Sequence, residues 1–265
     1  MGFSDPPGYS VSVKLAEALG LTGDDIVAVV GGGGKSTAMF RLARDIVEQG
    51  GCALTTTTTR IFGAQIALAP AHILAADATR ERVLADLAAH RHVLVIGVTD
   101  AESGKAEGVS LDLFRRLRAW CPGVCIVNEA DGSRMRPFKA PAAYEPVIPE
   151  ETTLVLVLVG ADVFGQTLDA EHVHRPELVS ALSGAALGTP ITPEIVARVL
   201  AHPEGGRKGV PPGARVVALI NKVERLPDRT PARETAERLL REPAIESVML
   251  TALRGEDPVL EICTR

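Results

Sequence analysis

The sequence predicts an α/β fold in which a doubly wound, mostly parallel sheet carries helices on both faces. Short runs rich in Val, Ile and Leu alternate along the chain with longer helical stretches. Several of these runs are apolar without alternation, which is typical of strands covered on both faces. The 265 residues are 46% hydrophobic and 23% charged, enough to build a core without disulfide bonds. We therefore predict a single domain over residues 1–265.

Each predicted element follows from its own residues. Strands are predicted at the apolar runs, residues 26–30, 52–55, 72–75, 93–98, 124–128, 154–159, 216–220 and 248–250. Helices are predicted where apolar residues recur at helical spacing, at residues 36–49, 79–89, 111–119, 176–183, 193–201 and 231–241. Gly50 and Gly51 end the first helix, and three later helices begin with proline. In such sheets ligands bind outside the carboxyl ends of the strands.

Composition and charge exclude several classes of protein. The net charge is -5, which argues against a dedicated nucleic-acid-binding protein with its basic surface. No apolar run reaches the 18 or so residues of a membrane-spanning helix. The four cysteines form no CxxC pair, and residues 1–10 lack the basic and apolar regions of a secretory signal. These features predict a cytoplasmic protein with reduced thiols and with neither nucleic acid nor membrane as a partner.

A glycine-rich loop between the first strand and the first helix carries the strongest chemical signal. Its residues are Gly31, Gly32, Gly33, Gly34, Lys35, Ser36 and Thr37. Glycines let backbone amides surround phosphate oxygens, and the helix N-terminus adds partial positive charge. Lys35 is expected to bridge the terminal phosphates, and Ser36 to coordinate Mg²⁺. The whole loop is predicted to bind a nucleotide.

The loop departs from the commonest phosphate-binding pattern, which has a glycine where this chain has Val29. It also resembles the GGxGK variant of the signal-recognition and MinD-like nucleotide hydrolases, with Val30 in place of that group's signature lysine. A glycine-rich turn with a solvent-exposed lysine is the alternative. The preceding strand and following helix favour phosphate binding, and with it a P-loop NTPase-like three-layer sandwich.

Two acids follow the strand predicted at residues 124–128. Asp131 is predicted to hold Mg²⁺ opposite Ser36, and either Glu129 or Asp131 to position the attacking water. An Asp-Gly turn formed by Asp131 and Gly132 is the alternative. The sequence leaves open which acid has which role.

Five consecutive threonines, residues 55–59, and then Arg60 follow the second predicted strand. Threonine is β-branched, so most of them are expected simply to extend that strand. Hydroxyl groups and a guanidinium at a strand's carboxyl end also suit a terminal phosphate. We predict this role for one threonine, left unassigned, together with Arg60.

A base-recognition segment is predicted at Asn221, Lys222 and Glu224, which follow the strand at 216–220. It resembles the NKxD guanine motif, with glutamate where aspartate is expected. A carboxylate there accepts from guanine N1–H and N2–H₂, and adenine has no such pair of donors. Residues 251–253 are similar to the segment that supports the base in GTP-binding proteins. GTP is therefore favoured over ATP, and a surface turn is the alternative.

Two loops, residues 132–150 and 162–176, are predicted as insertions that contact a client protein or an anionic substrate. Their candidate contact residues are Arg134, Lys139, Asp162, His172, His174 and Arg175. The His-x-His pattern suits a metal, an oxyanion or a pH-dependent switch. Helix-capping and solvated loops are the alternatives.

Together these motifs closely resemble the YqeC family, the selenium-dependent molybdenum hydroxylase accessory proteins. The resemblance rests on VGGGGKST, TTTTTR, NEADGSRMRPFKAPAAYEPVIP, GADVFGQTLDAEHVHRPE and VVALINKVE, which occur in this order. Its blocks cover residues 31–37, 129–132, 139–141, 145–149, 162, 172–176 and 221–222. The resemblance implies a cytosolic maturation factor that prepares or inserts a molybdenum cofactor species.

Three functional hypotheses follow. The leading one is a Mg²⁺-dependent nucleotide hydrolase that serves a molybdenum hydroxylase or its cofactor-maturation proteins. The second is phosphoryl or nucleotidyl transfer to a small cofactor precursor. The third is a non-catalytic, nucleotide-gated scaffold for a hydroxylase. A homodimer is a further expectation that the sequence leaves open.

Overall fold

The computed structural model of the chain describes residues 13–100 and 104–265; the segment on which the absence of a secretory signal was argued lies outside these ranges. The described strands are β1 (Ile26–Gly31), β2 (Ala53–Thr57), β3 (Ile61–Phe62), β4 (His72–Leu74), β5 (His92–Ile96), β6 (Thr99–Asp100), β7 (Lys105–Ala106), β8 (Cys125–Glu129), β9 (Phe138–Lys139), β10 (Leu154–Gly160), β11 (Val173–His174), β12 (Arg215–Asn221), β13 (Ser247–Thr251) and β14 (Val259–Cys263). The described helices are α1 (Leu15–Ala18), α2 (Lys35–Glu48), α3 (Arg80–His90), α4 (Leu111–Trp120), α5 (Pro176–Ser183), α6 (Pro193–Ala201) and α7 (Thr230–Leu239).

The main sheet of the described residues confirms the predicted fold class. Its strand order is β14–β13–β12–β10–β1–β8–β2–β5–β4. Neighbouring strands are parallel throughout, except that β14 is antiparallel to β13. All eight predicted strands belong to this sheet. The chain is thus a doubly wound, mostly parallel α/β protein.

Helices cover both faces of the sheet, and β10 shows how its sequence produces two cores. Residues 155, 157 and 159 of β10 pack with α5, α6 and α7. Residues 154, 156 and 158 pack with α1 and α2 on the opposite face. Successive side chains of a strand point to opposite faces, so a strand covered on both must be apolar throughout. The run of Val and Leu in β10 meets this requirement.

Short strands outside the main sheet were not predicted. β9 pairs with β11, and β3, β7 and β6 form a three-stranded sheet. Each is two residues long, too short to produce a periodic pattern. The edge strand β14 was also missed, because its residues are only partly buried and it lacks a fully apolar run. Pairing with neighbours distant in sequence, rather than local propensity, defines these strands.

Two further expectations concern cysteines and membranes. All four cysteines are free thiols, and Cys121 and Cys125 are buried. Burial raises the pKa of the Cys121 thiol to about 11 and that of Cys125 to about 12. Among residues 13–100 and 104–265, no helix has the length and apolar character needed to cross a membrane.

Candidate functional site

Parts of the glycine loop, the acid segment, the threonine run and the base-recognition segment line one cavity at the carboxyl ends of β1, β8, β2 and β12. Asp131, Lys139, Asp162, His172, His174 and Arg175 are not among its lining residues. The cavity has a volume of about 410 Å³, within the usual range for small-molecule sites. Its lining comes from residues 33–37, 59–62, 65, 105, 129, 132–135, 221, 222, 224, 225, 253 and 254. The cavity lies beyond the carboxyl ends of the strands, which is where ligands bind in doubly wound sheets.

The glycine loop passes so close to the end of β10 that side chains are excluded. Gly33 has a φ of +80°, and a Cβ atom built on it would lie 2.1 Å from the backbone nitrogen of Gly160. Gly34 has a φ of +131°, which residues with a Cβ rarely adopt. Only glycine can trace this path from β1 into α2.

The loop amides divide into two groups. The first three donate within the protein: Gly31 N–H to the Asp131 carboxylate at 3.1 Å, Gly32 N–H to Leu158 O at 2.9 Å, and Gly33 N–H to Arg136 O at 3.2 Å. Gly34 and the first helical residues, Lys35, Ser36 and Thr37, line the cavity. The amides of a helix's first turn have no partner within the helix. They are the donors that remain for a ligand.

The N-terminus of α2 is built to receive an anion. It has no side-chain cap and no acidic residue in its first turn. Thr79, Ser110 and Thr192 cap α3, α4 and α6 with their hydroxyl groups, whereas α1, α5 and α7 also lack a side-chain cap. What sets α2 apart is that its N-terminus follows the glycine loop and lines the cavity. α2 is 14 residues long, and its uncapped N-terminus presents a partial positive charge together with free amides. Phosphate is the ligand this arrangement fits.

Lys35 lies at the floor of the cavity among acids. Its Nζ donates to Gly31 O at 2.8 Å and lies 3.4 Å from Asp131 Oδ1 and 3.9 Å from Glu129 Oε1. Its side chain is 3% exposed. The ammonium group is therefore held at the glycine loop by charge and not extended into solvent. A glycine-rich turn without a ligand would leave this lysine exposed to solvent, whereas Lys35 is buried.

Glu129 is the acid that contacts Ser36. Ser36 Oγ donates to Glu129 Oε2 at 2.6 Å. Burial raises the pKa of Glu129 above its ordinary value, although Lys35 and Ser36 both favour its charged form. A hydroxyl and a carboxylate at the start of α2 are hard oxygen donors, the kind that Mg²⁺ takes beside phosphate oxygens.

Asp131, which the sequence paired with Ser36, is used differently. Its carboxylate accepts the Gly31 N–H and lies 2.9 Å from the Lys139 ammonium. It is 2% exposed. Asp131 thus holds the glycine loop through the Gly31 amide. Glu129, and not Asp131, makes the contact with Ser36.

The threonines separate into strand and cavity residues. Thr55, Thr56 and Thr57 are buried in β2, as the strand interpretation expects. Thr58 Oγ1 donates to Val147 O at 2.6 Å. Of the five, Thr59 lines the cavity, beside Arg60. The Arg60 side chain is 65% exposed and pairs with Glu107 at 3.2 Å.

Asn221 joins two walls of the cavity. Its side-chain nitrogen donates to Gly33 O at 2.8 Å, and its side-chain oxygen accepts the Leu253 N–H at 3.1 Å. Lys222 pairs with Asp162 at 2.6 Å, so these two predicted residues form one ion pair. Glu224 lines the cavity.

The two predicted insertion loops pack on each other through β9 and β11. Lys139, 1% exposed, bridges Asp131 and Glu145, and Arg175 binds both carboxylate oxygens of Glu145 at 2.9 Å. Lys139 and Arg175 were expected to contact a client or substrate at the surface. In the structure their charges are instead paired with carboxylates of the protein itself. Arg134 is exposed and lines the cavity.

The histidines of the His-x-His segment have separate surroundings. His172 Nδ1 lies 3.0 Å from Asp169 Oδ1. Burial, together with the positive charges of Arg175 and Lys139, lowers the pKa of His174 to about 4. Within the part of the chain that the structure describes, no group of three or more His, Cys, Asp or Glu side chains is arranged to hold a metal.

Several cavity residues were missed by sequence reasoning: Phe62, Gln65, Lys105, Met135, Arg225 and Arg254. Lys105 reaches the cavity because β7 pairs with β3, a contact with no local signature. Arg254 had the clearest signal, since it directly follows the segment expected to support the base.

Comparisons with known proteins agree on one family. The model of the YqeC protein family matches residues 27–177. The uncharacterized protein YqeC of Escherichia coli (strain K12) is 30% identical over 200 residues, covering 74% of this chain and 75% of that protein. The crystal structure of FtsY from Mycoplasma mycoides matches 86% of this chain at 10% identity and a TM-score of 0.31. The chain spans about half (52%) of FtsY.

Proposed function

The chain belongs to the YqeC family, and we propose that it is a cytoplasmic, magnesium-dependent nucleotide-binding protein that hydrolyses a nucleoside triphosphate. The proposal rests on the uncapped N-terminus of α2, which directly follows a loop that only glycine can form. Lys35 and the Ser36–Glu129 pair stand at the same place. Amides, an ammonium group and hard oxygen donors together suit a magnesium–triphosphate complex better than any other common ligand.

Each group has a part in binding and catalysis. The amides of Gly34 and of the first turn of α2 would hold phosphate oxygens, with Lys35 supplying a full positive charge. Ser36 and Glu129 would hold Mg²⁺, which neutralises phosphate charge when bound. The contacts of Ser36 favour Glu129 over Asp131 for this role. Asp131 keeps Gly31 and Lys35 in place, and such positioning is most of what phosphoryl transfer needs.

Glu129 or Asp131 would position the attacking water. A carboxylate that holds Mg²⁺ is not free to act as a base, so Glu129 would orient the water by a hydrogen bond and not remove its proton. Asp131 is less available for this role, because it accepts the Gly31 N–H and lies against two lysines. Arg60, with its exposed side chain at the cavity wall, would add positive charge beside the terminal phosphate.

Guanine is the base we propose. Asn221 fixes the glycine loop against residues 251–253 and so sets the distance between phosphate and base subsites. Glu224 lines the cavity near Leu253 and Arg254. Its carboxylate would accept from guanine N1–H and N2–H₂, which adenine cannot supply.

The client is proposed from the family alone. The resemblance implies an accessory protein of a selenium-dependent molybdenum hydroxylase, so nucleotide turnover would serve the maturation of such a hydroxylase or of its molybdenum cofactor. The contact surface proposed for it is the joined pair of loops 132–150 and 162–176.

A thermal-shift series tests the nucleotide proposal. GTP, ATP and CTP are each added with and without Mg²⁺, and ligands that bind the folded protein raise its melting temperature. The largest rise is expected with GTP plus Mg²⁺, and equal curves with all nucleotides would contradict the proposal. Phosphorus NMR of the same mixtures then identifies the reaction. Inorganic phosphate alone indicates hydrolysis, whereas a new phosphoester indicates transfer.

A further inference from the structure

The cavity has two ends, on opposite sides of the glycine loop. In the sheet, β12 lies two strands from β1 on one side, while β8 and β2 lie on the other. Residues 221–225, after β12, form the end proposed for the base. Residues 59–65 and 132–135, after β2 and β8, form the other end. A nucleotide that extends from the base end to the glycine loop leaves this second end beyond its terminal phosphate.

The second end is cationic, although the protein as a whole is acidic. Among the described residues that line the cavity, the charged side chains are Lys35, Arg60, Lys105, Arg134, Lys222, Arg225 and Arg254 against Glu129 and Glu224. Arg60, Lys105 and Arg134 belong to the second end. Glu107, the partner of Arg60, does not line the cavity. The cavity side of this end therefore presents positive charge in a chain of net charge -5.

Apolar surface accompanies these cations. Phe62 is 41% exposed and Met135 is 79% exposed, and both line the cavity. Lys105 Nζ lies 5.6 Å from the centre of the Phe62 ring. An aromatic ring and a flexible thioether next to guanidinium groups suit a ligand with both an anionic group and an apolar part. A bare inorganic ion would leave the Phe62 and Met135 surfaces unused.

We propose that this end, the distal subsite formed by Arg60, Phe62, Gln65, Lys105, Arg134 and Met135, binds a second small molecule. The ligand class is a phosphorylated small molecule with an apolar or ring-containing part. Its position beside the terminal phosphate rests on the proposed nucleotide function, whereas its recognition by the distal subsite does not. The nucleotide and this second ligand are bound together, because they occupy opposite sides of the glycine loop.

Calorimetry with phenyl phosphate tests the distal subsite. The probe is titrated into the protein alone and into protein saturated with the magnesium complex of a non-hydrolysable GTP analogue. Phenyl phosphate is expected to bind in both cases, and more tightly than inorganic phosphate. Arg60→Gln and Arg134→Gln are each expected to weaken it by about tenfold, the usual effect of losing one charged hydrogen bond. Arg82→Gln, at an exposed arginine that lines neither this cavity nor its neighbour, is the control and is expected to leave the affinity unchanged.

The outcomes separate the two proposals. If the nucleotide analogue displaces phenyl phosphate, or if both arginine variants bind it as wild type does, the distal subsite is overturned. If the analogue binds and phenyl phosphate does not, the subsite fails and the nucleotide function stands. If the analogue fails to bind but phenyl phosphate binding depends on Arg60 and Arg134, the subsite stands and the nucleotide function fails.

Discussion

Gly33 shows how a single position ties the phosphate-binding loop to the sheet. Its left-handed backbone and the Gly160 nitrogen 2.1 Å from a built Cβ are two separate penalties for any other residue. Gly165 has only the penalty of a left-handed backbone: its φ is +76°, and no atom lies within 4 Å of a built Cβ. Comparison of the two positions separates backbone strain from steric overlap.

Gly33→Ala is expected to destabilise the protein more than Gly165→Ala does. The left-handed conformation costs about 1–2 kcal/mol at either position, and overlap at Gly33 adds about 1–3 kcal/mol. Urea unfolding of both variants measures the difference in the free energy of unfolding. Equal losses would mean that the loop moves away from β10 without cost.

Buried histidines make stability depend on pH. Burial lowers the pKa of His92 to about 4, and His174 is lowered to a similar value. Between pH 6.5 and 4 the unfolded chain therefore binds more protons than the folded one, and stability declines as pH falls through this range. Above pH 6.5 this contribution is fully present.

His92→Gln is expected to reduce that pH dependence. Glutamine has no titrating ring and can still meet the Thr55 hydroxyl, which lies 2.9 Å from His92 Nε2. Urea unfolding at pH 7.5 and pH 5.0 should show a smaller drop in the free energy of unfolding for the variant than for wild type. The exposed His72→Gln variant is expected to keep the wild-type drop. An unchanged drop in His92→Gln would contradict this account.

At the scale of elements, a chain of charges joins the glycine loop to β9, β11 and α5. It runs from Asp131 through Lys139 and Glu145 to Arg175, which precedes α5. Burial raises the pKa of Glu145, but hydrogen bonds from Arg175 and Lys139 bring that pKa below its usual value. The packing of loops 132–150 and 162–176 on each other thus depends on the buried side chain of Lys139.

Lys139→Met is expected to cost about 1–3 kcal/mol of unfolding free energy, because Asp131 and Glu145 lose a buried ammonium partner and keep only Lys35 and Arg175. Lys14→Met provides the matched control. Lys14 pairs with Glu48 at 2.7 Å with both side chains exposed, and such pairs contribute about 0–1 kcal/mol. Denaturant unfolding of the two variants measures both losses. Similar losses would show that the charge chain does not hold the loops together.

At the scale of the whole molecule, the main sheet was predictable and the cavity only in part. Strands such as β10 must be apolar on both faces, and this requirement is visible in the sequence itself. Ser36, Asn221 and Glu224 were found because each stands in a short motif after a strand. Lys105 and Phe62 were missed because they meet only when β7 pairs with β3. The choice between Glu129 and Asp131 as the partner of Ser36 also required coordinates, since both acids follow the same strand.

The central claim is that the glycine loop and Lys35 bind the phosphates of a magnesium nucleotide. Calorimetric titration of magnesium GTP into wild type, Lys35→Ala and the control Lys14→Ala tests it most directly. Wild type and Lys14→Ala are expected to bind alike. Lys35→Ala is expected to lose about 10–100-fold in affinity, the worth of one or two charged contacts to phosphate. Binding by Lys35→Ala as tight as by wild type would contradict the claim.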